Sequence, residues 1–191
     1  MKKLALTLAA VFSAIALVAK VPHQEFKGVP INGTLKTFSA QMEKNGFELK
    51  ATGKGRVQME GDFAGYKNCV LDISTLYQKD LVSFVTLSFP YRTSWSDLES
   101  DYFNLKDMLA LKYGNPRSSR EEFTARVPKT DSDRLYELGL DRCVYSSSFQ
   151  AAYGEIRLSI KHNSTRTFHV ELVYSDRANT EIIKSVAIGD L

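Results

Sequence analysis

Two cysteines and three histidines are all that this chain of 191 residues offers to soft metals and redox chemistry, and their spacing matches none of the common sites. No paired C-x-x-C, H-E-x-x-H, G-x-S-x-G or glycine-rich phosphate loop occurs, so no catalytic residue, metal site or cofactor is expected. Gly53-Lys54-Gly55 is too short to cradle a phosphate and reads as a hairpin turn. No stripe or run of Lys and Arg stands out, which leaves nucleic acid without an electrostatic footprint. Low-complexity stretches are absent, and eleven Phe with nine Tyr supply large core side chains, which excludes disorder.

Long apolar runs are also missing, save one. Lys2 and Lys3 precede a weakly polar to apolar run from Leu4 to Ala19 that closes on the small residues Ala16 and Ala19. The run is about 16 residues, short of the roughly 20 that a membrane span needs. Residues 1–19 are therefore expected to be a secretory signal peptide, with no stable membrane span after its cleavage and a periplasmic or extracellular location. No Cys follows the small residues, which argues against a lipid-attached N-terminus. With Lys2 and Lys3 gone, 23 basic residues face 22 acidic ones, a formal charge of +1. Residues 20–191 form one domain of ordinary size.

The pattern at the centre of the chain is three strands in succession, Val57 to Phe63, Tyr66 to Thr75 and Leu81 to Phe89, parted by Ala64-Gly65 and Gln78-Lys79-Asp80. Cys69, Leu71 and Ile73 alternate with Asn68 and Asp72, the period of a strand buried on one face. Before this unit, Lys20 to Pro30 reads as a lead-in with Phe26 and Val29 as anchors. Thr34 caps a helix over Leu35 to Lys44, and Phe47 to Lys50 starts a strand. After it, Ser94 and Asp97 open the longest helix, whose stripe is Trp95, Leu98, Tyr102, Leu105 and Leu109, and which Gly114 closes. The carboxylates Asp97, Glu99 and Asp101 sit in its first turns, where they favour the helix dipole; a metal site is the other reading of that cluster. Arg117 to Asp133 is irregular, with a short strand at Glu121 to Arg126, and Leu135 to Leu140 reads equally as a helical turn or a strand start. Strands return at Cys143 to Ala151, Tyr153 to His162 and Thr167 to Tyr174, and a short helix closes the chain over Thr180 to Ile188.

The two halves, about 34–90 and 94–176, share a pattern. Tyr66, Cys69, Leu71 and Ile73 match Tyr153, Ile156, Leu158 and Ile160 at constant offset, and Val85, Leu87 and Phe89 match Val170, Leu172 and Tyr174. The fold class expected is α+β: two tandem halves, each a helix followed by an antiparallel meander, with the helices packed on one face of the sheet. Gly28-Val-Pro-Ile-Asn-Gly-Thr-Leu35, Gly61-Asp-Phe-Ala-Gly-Tyr-Lys-Asn-Cys69 and Tyr113-Gly-Asn-Pro116 together resemble a group of small uncharacterised secreted proteins of Bacteroides-type bacteria, a resemblance that implies no activity. The architecture is also similar to the beta-lactamase-inhibitor-protein-like fold, whose members bind other proteins through an open sheet face; this likeness is one of fold alone.

Site expectations follow from strand parity. The helices should cover Leu71, Ile73, Val85, Leu87, Leu158, Ile160, Val170 and Leu172. The opposite face then carries Asn68, Val70, Asp72, Phe84 and Thr86 beside Arg157, Ser159, Lys161, His169, Glu171 and Val173. Phe84 and Arg157 are residue types that anchor interfaces. His169 and Glu171 share a strand face two residues apart, a geometry that suits a metal or an acid-base pair as well as a solvated face. Ser146-Ser-Ser148 lies near them in pattern. Cys69 and Cys143, one in each half and both in apolar phase, are expected to form a disulfide. The function expected is a binding or interaction module for an unknown protein or envelope component; the alternative is a hydrolase acting on an envelope or dietary polymer.

Overall fold

The computed structural model describes residues 21–76 and 79–189, and the expected signal segment lies outside them. The elements are β1 (Glu25–Phe26), β2 (Val29–Pro30), α1 (Leu35–Lys44), β3 (Phe47–Gly53), β4 (Arg56–Phe63), β5 (Tyr66–Leu76), β6 (Lys79–Ser88), α2 (Trp95–Tyr113), β7 (Ser118–Phe123), α3 (Asp131–Gly139), β8 (Cys143–Gln150), β9 (Gly154–Ser164), β10 (Thr167–Asp176) and α4 (Arg177–Ile188). β1 and β2 pair as a small hairpin, and the other eight strands form one sheet in the order β3-β4-β5-β6-β10-β9-β8-β7. Each half is a helix followed by a four-stranded antiparallel meander, with α3 inserted between β7 and β8.

The halves meet at β6 and β10, and the register there is symmetric. Leu87 pairs with Leu172, Val85 pairs with Tyr174, and the Phe89 N–H donates to the Val170 carbonyl at 2.9 Å. These are the residues that match between halves in the sequence, so a local twofold axis passes through the Leu87–Leu172 pair. The sheet is built as an edge-to-edge dimer would be, inside one chain.

Each helix starts on a side chain that accepts from the backbone three residues on. Thr34 accepts from Thr37, Ser94 from Asp97, Thr130 from Asp133 and Asp176 from Asn179, which satisfies N–H groups that the helix itself leaves orphaned. The 19-residue α2 buries Trp95, Leu98, Tyr102, Leu105 and Leu109 against β8, β9 and β10. The eight residues expected under the helices are all buried. Phe26 of the lead-in is fully buried and its ring stacks on Phe63 at 5.3 Å.

One polar network crosses this layer. Tyr102 donates to Glu121 at 3.0 Å, Ser147 lies 2.7 Å from the Tyr102 hydroxyl, and Lys106 holds Glu121 at 2.6 Å. Burial alone would raise the Glu121 carboxyl, yet Lys106 and Tyr102 outweigh it and hold the group below its usual range. This network fastens the charged edge strand β7 beneath α2. Of the acidic residues in the first turns of α2, Asp101 pairs with Arg92 at 2.6 Å and Glu99 accepts from the Tyr145 hydroxyl at 3.0 Å.

The expected disulfide is not formed: Cys69 and Cys143 are both free. Both point to the helix side, but β6, β10 and β9 lie between their strands. Four strand spacings are about 19 Å, far beyond the roughly 7 Å that a bridge tolerates between Cα atoms. Burial pushes the Cys69 thiol up to about 11 and, aided by Glu99, the Cys143 thiol up to about 12. Smaller differences concern ends of elements. β7 begins three residues before the expected strand, Leu135 to Leu140 belongs to a helix and its cap, and α4 starts directly from β10 with Asp176 as its cap.

Candidate functional site

The pairing registers lay the second face of the sheet out as transverse rows. One row runs Gln58, Asp72, Thr86, Val173, Arg157, Ser148 from β4 to β8. The next runs Glu60, Val70, Ser88, Glu171, Ser159, Ser146. His169 and Lys161 face each other one row further. Rows lie about 7 Å apart along the strands and neighbours within a row about 4.8 Å. Arg157, Glu171 and His169 therefore fall into one patch on β9 and β10. Phe84 shares the face, 40% exposed, but its partners are Ser74 and Ser175, two rows from Glu171 and roughly 14 Å along the strand.

Among the described residues, this face carries two adjoining depressions. One, of about 540 Å³, runs from Arg56 and Asp72 to His169, Tyr91 and Glu171. The other, of about 500 Å³, holds Ser146, Arg157, Ser159, Lys161 and again Glu171. Glu171 lines both, so the two adjoin at its side chain, and together they are the trough of this face.

Its electrostatics are uneven. Arg56 grips Asp72 through Nη2 at 2.6 Å and Nε at 2.9 Å, and Gln58 adds a third donor at 3.2 Å, so that carboxylate is satisfied. Arg157, Lys161 and Glu171 have no ion-pair partner among the described residues. Two unpaired cations and one unpaired anion stand at the centre of the trough.

Beside them lie two buried polar groups without partners. His169 is 2% exposed although it sits on the open face, because the Tyr91 ring meets it edge-on at 5.6 Å. Tyr91 is itself held by Asn163, whose amide donates to its hydroxyl at 2.9 Å. The His169 Nδ1 has no hydrogen-bond partner among the described residues, and neither has the Ser159 Oγ, with Ser159 4% exposed. Burial, reinforced by the positive charges of Lys161 and His162, pushes the His169 imidazole down to about 4. The ring is neutral at physiological pH, one nitrogen a donor and the other an acceptor.

His169 and Glu171 do not form an acid-base pair, since no hydrogen bond joins them, and among the described residues no group of three His, Cys, Asp or Glu could hold a metal. Of the serine run, Ser146 lies on the trough while Ser147 turns to the helix side. The other histidines serve the scaffold: His23 Nδ1 lies 3.1 Å from the buried Asp176, and His162 Nε2 lies 3.0 Å from Asp141. A further depression of about 680 Å³ between the β1–β2 hairpin and Tyr113, Tyr153 and Tyr174 contains His23, whose two ring nitrogens are already engaged by Asp176 and Asn32. Sequence reasoning did not single out Tyr91 or Asn163, because their approach to His169 depends on the bridge between Arg92 and Phe168, a long-range pairing with no local signal.

No family model, no curated protein and no solved structure matches this chain.

Proposed function

We propose that the protein is a secreted or periplasmic binding module that captures a protein or envelope component on the open face of its sheet. The observation that carries this reading is the set of unpaired groups at the centre of the trough. Arg157, Lys161 and Glu171, without an ion-pair partner among the described residues, stand beside the buried, unsatisfied His169 and Ser159. Buried polar groups are normally paired, and leaving one unpaired costs about 1–3 kcal/mol; a bound partner that supplies the missing bonds recovers that cost. The helices behind the sheet hold the strands rigid, which limits what is lost in ordering the site on binding. The hydrolase reading has less behind it, since Asp72 is committed to Arg56 and Gln58, and among the described residues no serine that lines the trough is hydrogen-bonded to a His, Asp or Glu.

The test is capture from a native envelope fraction by the wild-type protein, by Phe84→Ala and by Arg157→Ala. Both side chains are exposed, so both variants fold with an unchanged Tm, and each weakens capture of the same partner. If both variants capture as well as the wild type, the open face is not the binding surface. The compartment is checked separately, by the loss of residues 1–19 from secreted protein in intact-mass measurement.

A further inference from the structure

We infer that the trough binds an acidic saccharide, a chain of hydroxyl-bearing rings carrying a carboxylate that seats between Arg157 and Lys161. The inference rests on the open-face reading and narrows it to a ligand class.

Shape comes first. The trough runs from Arg56 on β4 to Ser146 on β8, five strand spacings in the sheet order, or about 24 Å. A long, shallow path suits an extended chain better than a compact metabolite, which prefers an enclosed apolar pocket. An extended peptide that adds to a sheet needs a free strand edge. The trough lies over the middle of the sheet, where both edges of each strand are already paired.

The chemistry of the walls agrees. The lining is rich in groups that both donate and accept or that offer two acceptors: Gln58, Asn68, Ser159, Glu171 and the neutral His169. Sugar hydroxyls also donate and accept at once and match this mix of groups, and a ligand that displaces the Tyr91 ring from His169 can also pair the orphaned His169 Nδ1. Tyr91, 56% exposed and fixed by Asn163, presents an aromatic side chain with a polar tip at the His169 end, suited to the C–H face of a ring.

Charge selects the acidic member of the class. Arg157 and Lys161 flank Ser159 on β9, and Glu171, a trough carboxylate without an ion pair among the described residues, faces Ser159 across the β9–β10 ladder. Two unpaired positive charges against one negative leave a single charge to balance, which a carboxylate does. A phosphate, at nearly two negative charges, meets Glu171 as a repulsive neighbour.

The experiment is an array of oligosaccharides covering neutral, uronic-acid and sialic-acid chains, followed by calorimetry with the strongest acidic hit, its methyl ester and inorganic phosphate. Expected are binding confined to carboxylate-bearing chains, at least a tenfold loss on esterification, no binding of phosphate, and affinity that falls with salt. Arg157→Ala and Glu171→Gln, both at the surface and without structural bonds, should each change affinity at least fivefold at unchanged Tm, the second toward tighter binding of the anion. Phe84→Ala, outside the trough, should leave affinity for the isolated oligosaccharide within twofold, its effect being confined to capture of the larger envelope component that reaches Phe84. Equal binding of neutral and acidic chains, binding of phosphate alone, or no signal on the array overturns the inference. If the array is blank while envelope capture still depends on Phe84 and Arg157, the ligand class is wrong and the open-face reading stands. If capture is also insensitive to both, both fall.

Discussion

The depressed imidazole of His169 makes stability depend on pH in a defined direction. Its pKa lies at about 4 in the folded protein against an ordinary 6.5, because the ring is buried and faces the positive charges of Lys161 and His162. Above pH 6.5 the group is neutral in both states and costs nothing. As pH falls from 6.5 to 4 the unfolded chain takes up a proton that the folded chain refuses, so stability is lost through that window and is constant again below it. Each tenfold change in proton affinity is about 1.4 kcal/mol, so the full loss is on the order of 3 kcal/mol, of which roughly 2 to 3 is gone by pH 4.5. Carboxylates titrate in the same range, so the quantity to measure is the difference between the wild type and His169→Gln in urea unfolding at pH 7.5, 6.5, 5.5 and 4.5. The wild type should lose more on acidification by about that amount, while the m-values stay equal. Parallel curves for the two proteins, or a His169 resonance that titrates near pH 6.5, would refute the reasoning.

Thiol titration should find two free sulfhydryls in the denatured, unreduced protein, and little reaction in the native protein at pH 8, where burial keeps Cys69 and Cys143 protonated. Leu87→Ala and Leu172→Ala, at the symmetric join of the halves, should each cost about 2–5 kcal/mol in denaturant unfolding. Asp176→Ala should cost about 3 kcal/mol or more, since the fully buried carboxylate accepts from the backbone of Gln24 and Asn179, both at 2.7 Å, and ties the N-terminal segment to the cap of α4.

What could be read in advance was whatever depends on local periodicity. Alternation placed Leu71, Ile73, Leu158, Ile160, Val170 and Leu172 on the buried face because a strand has only two faces and one of them packs on helices. The caps Thr34 and Ser94 were legible because an apolar helical stripe follows each. Thr130 was hidden in a polar loop, and Asp176 ends a strand and caps a helix with no turn residue between them. β7 lacks alternation, being a charged edge strand, so its start was misplaced. The disulfide failed for a different reason: sequence phase fixes the face of a strand but not its rank in the sheet, and the order β5-β6-β10-β9-β8 sets the two cysteines far apart. The trough residues on β9 and β10 were legible from parity, whereas the burial of His169 was not, because Tyr91 arrives from the connection into α2.

The local twofold shows which positions the two halves treat alike. Leu71 and Leu158, Ile73 and Ile160, Val85 and Val170, and Leu87 and Leu172 keep apolar character on the helix face, where packing constrains both halves equally. On the open face the same offsets set Val70 against Arg157, Asp72 against Ser159 and Phe84 against His169. The apolar packing that keeps the helix face similar does not act on the exposed side chains of this face, so Arg157, Lys161 and Glu171 all fall in the second half and Phe84 is the first-half counterpart of its histidine. A phenylalanine thus already occupies the equivalent backbone position, and His169→Phe should fold. The substitution removes an unsatisfied buried nitrogen worth about 1–3 kcal/mol and adds ring volume whose overpacking costs a similar amount. Stability at pH 7.5 should therefore stay within about 1 kcal/mol of the wild type, and the excess loss between pH 6.5 and 4 should disappear. Saccharide affinity should fall at least tenfold, because Phe offers the ligand no hydrogen bond. A variant that keeps full affinity would remove His169 from the site; one that loses several kcal/mol at pH 7.5 would mean that the nitrogen already has a partner within the folded protein.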